Sequence, residues 1–408
     1  MLIYEYKLDG KEQQYQAIDE AIRIVQFIRN KCLRLWMDGR GVSKNDLQCY
    51  CAVLAREYSF ASLLNSQARQ ASADRAWAAI ARFYENCKQK KPGKKGYPRF
   101  QHDNRSVEYK TTGWKLEPDG KHITFTDGCV IGTLRLVGNK KQSVATFPVK
   151  QIKRVRIVKR ADGYYCQFAV QTERRIEHTS TGKPIGIDIG LKAYYTDSEG
   201  KTIENPRHYR KAEKRLKRLH RQLSRKQKKS ANRKKARQQL ARAYRKVQRQ
   251  REDFARKQAN ALVTSSDFIA YEDLQIRNMV RNRHLSKSIS DAAWGTFLRW
   301  VKYYGTVHEI PIIAVPPQFT TQDCSVCGTR VKKSLSVRTH ICPNCGVVID
   351  RDENAAINIL HAGLLILFLM AFAGTVGQTG TSSNEENASG QSASTRPSPK
   401  RKTGKRTG

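Results

Sequence analysis

Apolar positions change their period several times along this chain, and each change marks a different element. Leu2, Tyr4, Tyr6 and Leu8 alternate with polar residues, which predicts a strand, and Asp9-Gly10 supplies a turn. From Lys11 the period lengthens: Ile18, Ile22, Val25, Ile28 and Cys32 fall three and four apart, the spacing of one helix face. A second helix is expected over 43–57 and a third over 62–87, striped by Ala73, Ala76, Ile80, Phe83 and Cys87. These stripes read as ordinary helical core. A basic linker broken by proline and glycine (KQKKPGKKGYPRF) covers 88–100. Short β-type runs follow at 106–111, 123–126, 133–137, 155–158 and 164–171, with Asp-Gly turns at 119–120, 127–128 and 162–163. They predict a small antiparallel barrel over 1–10 and 88–180, into which the helices of 11–87 are inserted.

Further on, Ile185, Ile187 and Ile189 alternate with Gly186, Asp188 and Gly190. That strand offers three isoleucines to a core and, on its other face, one carboxylate between two glycines. The glycines leave room for a hydrated metal and a phosphate to approach the backbone. A solvated aspartate on a half-buried strand has the same pattern. Residues 191–196 read as the second arm of a hairpin. Leu216, Leu219 and Leu223 mark one helix and Leu240, Tyr244 and Val247 another, with a turn at 228–232. A strand at 268–272 ends in Glu272, which taken alone reads as a solvated acid at a strand end. A helix over 292–304 carries Trp294, Phe297, Leu298 and Val301, and 310–315 is a further strand. Residues 347–356 run from a short strand through acids into a helix. There Asp352 fits a helix N-cap as well as it fits chemistry. Asp350 and Asp352 point the same way in an extended segment, so the pattern does not choose between them. The apolar run 362–373 is only about a dozen residues, too short to span a bilayer, and predicts a packed terminal helix. From 374 to 408 the chain is Ser/Thr/Gly-rich with a basic end and is assigned no structure.

Charge changes the picture. The 408 residues carry 76 Lys and Arg against 36 Asp and Glu, a formal +40, so nucleic acid is the expected partner. An anionic membrane is set aside because the cations are spread along the chain rather than beside an apolar anchor. The most basic part, 207–257, has Glu213, Glu252 and Asp253 as its only acids, a composition suited to phosphates. Arg225, Lys226, Lys228, Lys229, Arg233, Lys234 and Lys235 are its candidate nucleic-acid contacts. Residues 1–8 lack a charged stretch followed by an apolar run, so no signal peptide is expected. Six of the ten cysteines (Cys32, Cys49, Cys51, Cys87, Cys129, Cys166) show no disulfide framework, which points to the cytoplasm.

The other four form the most specific motif. Cys324 and Cys327, then Cys342 and Cys345, are two CxxC pairs, each followed by a glycine that permits a tight turn. Four thiolates close a tetrahedron around zinc and leave no open position, so the expected ion is structural. His340 would be a fifth ligand and is left out. Three acids at strand ends can gather around paired divalent cations, which hydrolysis of a phosphodiester uses to activate water and to stabilise the leaving oxygen.

Together, IGIDIG (185–190), YEDL (271–274) and the two CxxC pairs with DRDENAAINI (350–359) resemble the TnpB family of transposon-encoded, RNA-guided DNA endonucleases related to type V CRISPR effectors. The likeness extends from the N-terminus, through GYPRF, to about Leu360. It implies an α/β multidomain fold. A RuvC-like (ribonuclease H-like) nuclease domain would occupy 181–319 and 347–373, with a zinc ribbon inserted at 320–346. A wedge-type β-barrel would hold an inserted helical recognition lobe. By the same likeness Asp188, Glu272 and Asp352 are the catalytic acids holding two Mg²⁺ ions. The partners would be a guide RNA from the transposon end and double-stranded target DNA, with base pairing reading the target and the protein reading a short flanking motif. A cleavage-inactive guided repressor and an unguided structure-specific nuclease are the competing readings. The apolar run 362–373 has no counterpart in the likeness.

Overall fold

The amino-terminal half is assembled around β1 (Leu2–Asp9) in the computed structural model, which describes residues 1–138, 144–334 and 337–376. Four helices follow: α1 (Glu12–Asp38), α2 (Lys44–Glu57), α3 (Ser59–Ser62) and α4 (Ser66–Lys88). Ser43 starts α2 with a reciprocal cap, its hydroxyl accepting from the Asp46 amide and the Asp46 carboxylate from the Ser43 amide. The chain then lays down β2 (Ser106–Tyr109), β3 (Trp114–Leu116), β4 (His122–Phe125), β5 (Gly132–Val137), β6 (Ile152–Arg160) and β7 (Gly163–Val170). All seven strands pair antiparallel in the order β2-β6-β7-β1-β5-β4-β3.

That order forces the sheet to curl. β2 and β3 lie at opposite edges, six strand spacings of ~4.8 Å apart if the sheet were flat, about 29 Å. Only residues 110–113 join them, and such a link reaches roughly 18 Å at most. The edges are accordingly brought round: the Tyr109 ring on β2 lies tilted 5.1 Å from that of Phe125 on β4 and its hydroxyl donates to Asp127 at 2.7 Å. The expected barrel is thus a curled sheet, and no ladder joins β2 to β3 among the described residues. The three-residue β3 was not foreseen. The helices share one core with this sheet, Ile18, Ile28, Leu54 and Ile80 packing with Ile157 and Phe168. The stripe expected for the third helix ends at Phe83, because Cys87 is exposed.

In the second half the chain runs through β8 (Pro184–Asp188), β9 (Ala193–Asp197), β10 (Thr202–Glu204), α5 (His208–Ser224) and α6 (Ala231–Thr264). Then come β11 (Phe268–Glu272), α7 (Ile276–Met279), α8 (Ser286–Ala292), α9 (Trp294–His308) and β12 (Ile312–Val315). Last are β13 (Thr339–Ile341), β14 (Val348–Asp350) and α10 (Arg351–Val376). A five-stranded sheet has the order β10-β9-β8-β11-β12, with β8, β11 and β12 parallel. Strand alternation divides its faces. Ile185, Ile187, Ile269 and Tyr271 pack with α6 and α9, through residues such as Ala259, Phe297 and Val301. Phe268 and Ala270 face the other way, onto Ile359 and Leu360 of α10.

This packing corrects two expectations. Gly186 does not make room for metal and phosphate: a β-carbon there would sit 2.1 Å from the Ala356 carbonyl oxygen and 2.6 Å from the Leu360 amide, so its missing side chain is what seats α10. The second concerns the terminal helix. α10 is one element of 26 residues rather than a dozen, and Arg351–Phe372 is long and apolar enough, by length and composition, to cross a membrane. The length argument therefore fails, because the count began after the polar residues of the helix's first turns. The helix is packed over its first half, whereas Leu365, Phe368, Leu369, Met370 and Phe372 are each more than half exposed. It also takes 374–376 out of the expected tail, whose remainder, 377–408, lies outside the described residues.

Candidate functional site

Gly186 and Ala270 are partners in the parallel ladder between β8 and β11, and both are small because α10 crosses above them. Two residues further along each strand, on the same face, stand Asp188 and Glu272. The alternation that hides the isoleucines thus sets two carboxylates side by side at the carboxyl ends of parallel strands, the usual place for a site in such sheets. The third acid arrives on α10. Asp350 is the residue that caps this helix, its Oδ1 accepting from the Asp352 amide at 2.8 Å and the Glu353 amide at 3.4 Å. Asp352 is therefore not the cap, and its side chain stands in the first turn beside the sheet.

Burial makes this group of acids costly. The Asp188 carboxyl is pushed up to about 8, first by burial and then by the charges of Glu272 and Asp352, with Arg351 opposing. Glu272 is 7% exposed and is likewise raised by burial, opposed by a hydrogen bond donated by the Thr320 hydroxyl. Cations in the site are on Asp352 alone: Arg351 donates to its Oδ1 at 2.8 and 3.1 Å, and Arg338 Nη1 lies 3.6 Å from its Oδ2. Among the described residues no Lys, Arg or His pairs with Asp188 or Glu272. The oxygens of the three acids do not all come within 4.8 Å of one another. Neighbouring carboxylates, Glu272 buried and Asp188 and Asp352 half-buried, are the hard oxygen donors that Mg²⁺ prefers, so the residues fit divalent cations.

The cysteines do converge. All four sulfurs lie within 4.8 Å, with separations of 3.6 Å between Cys324 and Cys345 and 3.5 Å between Cys327 and Cys342. A tetrahedron with Zn–S bonds of ~2.3 Å has edges of ~3.8 Å, so the cluster fits zinc. Gly328 and Gly346 take φ of 75° and 71°, and each amide closes back on the carbonyl of its pair's first cysteine. The amides that reach sulfur belong to the next residues, Thr329 to Cys327 and Val347 to Cys345. His340 is buried outside the cluster, with Nδ1 against Lys333.

The basic pair is formed as expected, Leu216 packing with Leu240 and Val247. Arg225, Lys226, Lys228, Lys229, Lys234 and Lys235 stand exposed around its turn. Arg233 is the exception: half-buried, it donates Nη1 to the Leu223 and Lys226 carbonyls at 2.9 Å each and so closes the end of α5. Sequence reasoning also passed over Thr320, Asn354 and Asn358. Asn354 Nδ2 donates to the Asp323 carbonyl at 2.8 Å and its Oδ1 accepts from the Ser325 amide. Asn358 Nδ2 holds the Thr320 and Asp323 carbonyls at 2.8 and 2.7 Å. The signal available was two asparagines four apart on the apolar face of a helix, where an amide must find partners.

The family described as "probable transposase" matches residues 167–283, and the Cas12f1-like TNB domain matches 294–359. A TnpB-like protein of Acanthamoeba polyphaga mimivirus is 29% identical over 28% of the chain and 23% of its own length. The chain is thus similar to TnpB-like proteins over part of its length. A Streptomyces pristinaespiralis protein, provisionally named an RNA-guided DNA endonuclease, is 38% identical over 45% of the chain, and the match spans only 46% of that relative's length. InsQ of Escherichia coli, named likewise, is 27% identical over 71% of the chain and 73% of its own length. The chain also shares a mixed α/β fold with Cas12f1 in its complex with guide RNA and target DNA (TM-score 0.52, 12% identity, 85% of this chain and 81% of that one). The same holds for the mini-RNA-guided endonuclease Cas-phi3 (TM-score 0.55, 10% identity, 89% and 92%).

Proposed function

We propose that this chain is the RNA-guided, divalent-metal-dependent DNA endonuclease of a transposon, cutting DNA beside a short flanking motif. The observation that carries this reading is that Asp188 and Glu272 stand side by side at one end of a parallel sheet, near enough to Asp352 at the start of α10 for its charge to help raise the Asp188 carboxyl to about 8. On this reading the second half is a RuvC-like nuclease domain carrying a zinc ribbon, and the curled sheet and its helices are a wedge and a recognition lobe. The relatives named as RNA-guided endonucleases support the guided form of the activity.

The three acids would hold two Mg²⁺ ions, which when bound activate a water and stabilise the leaving oxygen of a phosphodiester. Arg351 and Arg338 keep the Asp352 carboxylate in place. The exposed cations of the α5–α6 turn contact backbone phosphates, while a guide RNA, in this proposal supplied by the transposon end, reads the target by base pairing. Sequencing of RNA that copurifies with the chain, followed by Mg²⁺-dependent cleavage of a matching duplex, tests the proposal. A guided repressor would keep the RNA and bind without cutting, and an unguided nuclease would cut without any RNA.

A further inference from the structure

Thr320 is buried, 8% exposed, and its hydroxyl donates to Glu272 Oε1. Among the described residues it is the only hydrogen-bond donor on that carboxylate. The backbone just before it is held in a costly shape. Phe319 has φ of 66°, in the left-handed region that bulky residues avoid, at about 1–3 kcal/mol. Four contacts maintain that shape. The Gln322 and Asp323 amides donate to the Phe319 carbonyl at 2.8 and 2.9 Å. The Arg330 guanidinium stacks 3.6 Å above the Phe319 ring. Asn358 of α10 grips the carbonyl of Thr320 itself. Packing alone does not call for this, since a valine would fill the same volume without a hydroxyl.

We infer that Thr320 is a positioning residue: its hydroxyl fixes the Glu272 carboxylate in the orientation that receives a divalent cation. The inference deepens the nuclease reading above and rests on it. It also couples two acids, because the helix that carries Asp352 holds, through Asn358, the loop that orients Glu272. The path to the zinc ribbon starts at this loop, with Asp323 and Ser325 held by Asn354.

The test uses the full chain with its copurified RNA and compares Thr320→Val, Thr320→Ala and Thr320→Ser. Mn²⁺ binding is titrated by electron paramagnetic resonance, the Mg²⁺ dependence of cleavage is measured alongside, and zinc content and melting temperature report folding. Thr320→Val and Thr320→Ala are expected to weaken Mn²⁺ binding by about tenfold or more, the scale of a buried carboxylate that has lost its donor. The half-saturating Mg²⁺ should rise in parallel, and Thr320→Ser should return both to within about twofold of the parent. Parental Mn²⁺ affinity in a folded Thr320→Val overturns the inference. If Thr320→Val fails to fold, equal affinities for Thr320→Ala and Thr320→Ser overturn it instead. A parent that binds Mn²⁺ through Asp188 yet never cuts DNA would refute the nuclease reading while leaving the positioning role standing. A parent with no Asp188-dependent Mn²⁺ site refutes both.

Discussion

A β-carbon on Gly186 would lie 2.1 Å from the carbonyl oxygen of Ala356, so β8 and the first turns of α10 touch backbone to backbone. Gly186→Ala must push that helix away, and Asp352 rides on its first turn. The expected result is a folded protein destabilised by about 1–3 kcal/mol, the scale of overpacking, with cleavage lost. At Gly190 the nearest obstacle is the Ala193 carbonyl at 3.3 Å, so Gly190→Ala should cost less. Thermal melts and cleavage assays on the two variants check this.

The second prediction concerns pH. Folded Asp188 keeps its proton up to about pH 8, whereas an unfolded aspartate loses it near ~3.9. Between those values the folded state binds more protons, so stability falls as pH rises. In magnesium-free buffer Asp188→Asn should therefore melt higher than the parent at pH 8 and equally at pH 4. Adding Mg²⁺ should raise the melting temperature of the parent at pH 8 and leave that of the variant unchanged. Melting curves across this range, with and without Mg²⁺, decide it.

The strand around Asp188 was legible because Ile185, Ile187 and Ile189 alternate without interruption, and the cysteine cluster because its spacing admits little else. Leu216, Leu219 and Leu223 gave α5 for the same reason. What a single chain cannot reveal is which distant segment comes close. Gly186 reads as room for a metal and a phosphate, but its neighbour is a helix 170 residues downstream, not a ligand. Asp350 and Asp352 were indistinguishable in an extended segment, and only the start of α10 at Arg351 separates the cap from the site. Thr320 gave no pattern, because it lies in a turn and its buried partner, Glu272, belongs to a strand 48 residues upstream. The positive φ of Phe319 is equally unreadable from its neighbours.

For the basic pair, replacing Lys226, Lys228, Lys229, Lys234 and Lys235 with neutral residues should weaken nucleic-acid binding and flatten its salt dependence, by roughly one unit of slope per lost phosphate contact. Arg233→Ala should behave differently, since its guanidinium closes α5: it should lower the melting temperature and change the slope little. Binding titrations over a range of salt concentrations separate the two effects.

The zinc cluster should be structural. Cys342→Ser is expected to lower folded yield and zinc content together, as measured by metal analysis of the soluble fraction. Stoichiometric zinc loss at unchanged stability would contradict that role.

On the proposed function, Asp188, Glu272 and Asp352 act together on a phosphodiester. The most direct measurement is cleavage and target binding, side by side, for the alanine variants of these three residues and of Asp350. Each of the three should abolish Mg²⁺-dependent cleavage and leave binding intact, because pairing and phosphate contacts are made elsewhere. Asp350→Ala should cut, with about 1 kcal/mol of stability lost with its cap. A dead Asp350→Ala beside an active Asp352→Ala would remove Asp352 from the site, and normal cutting by all four would contradict the nuclease account itself.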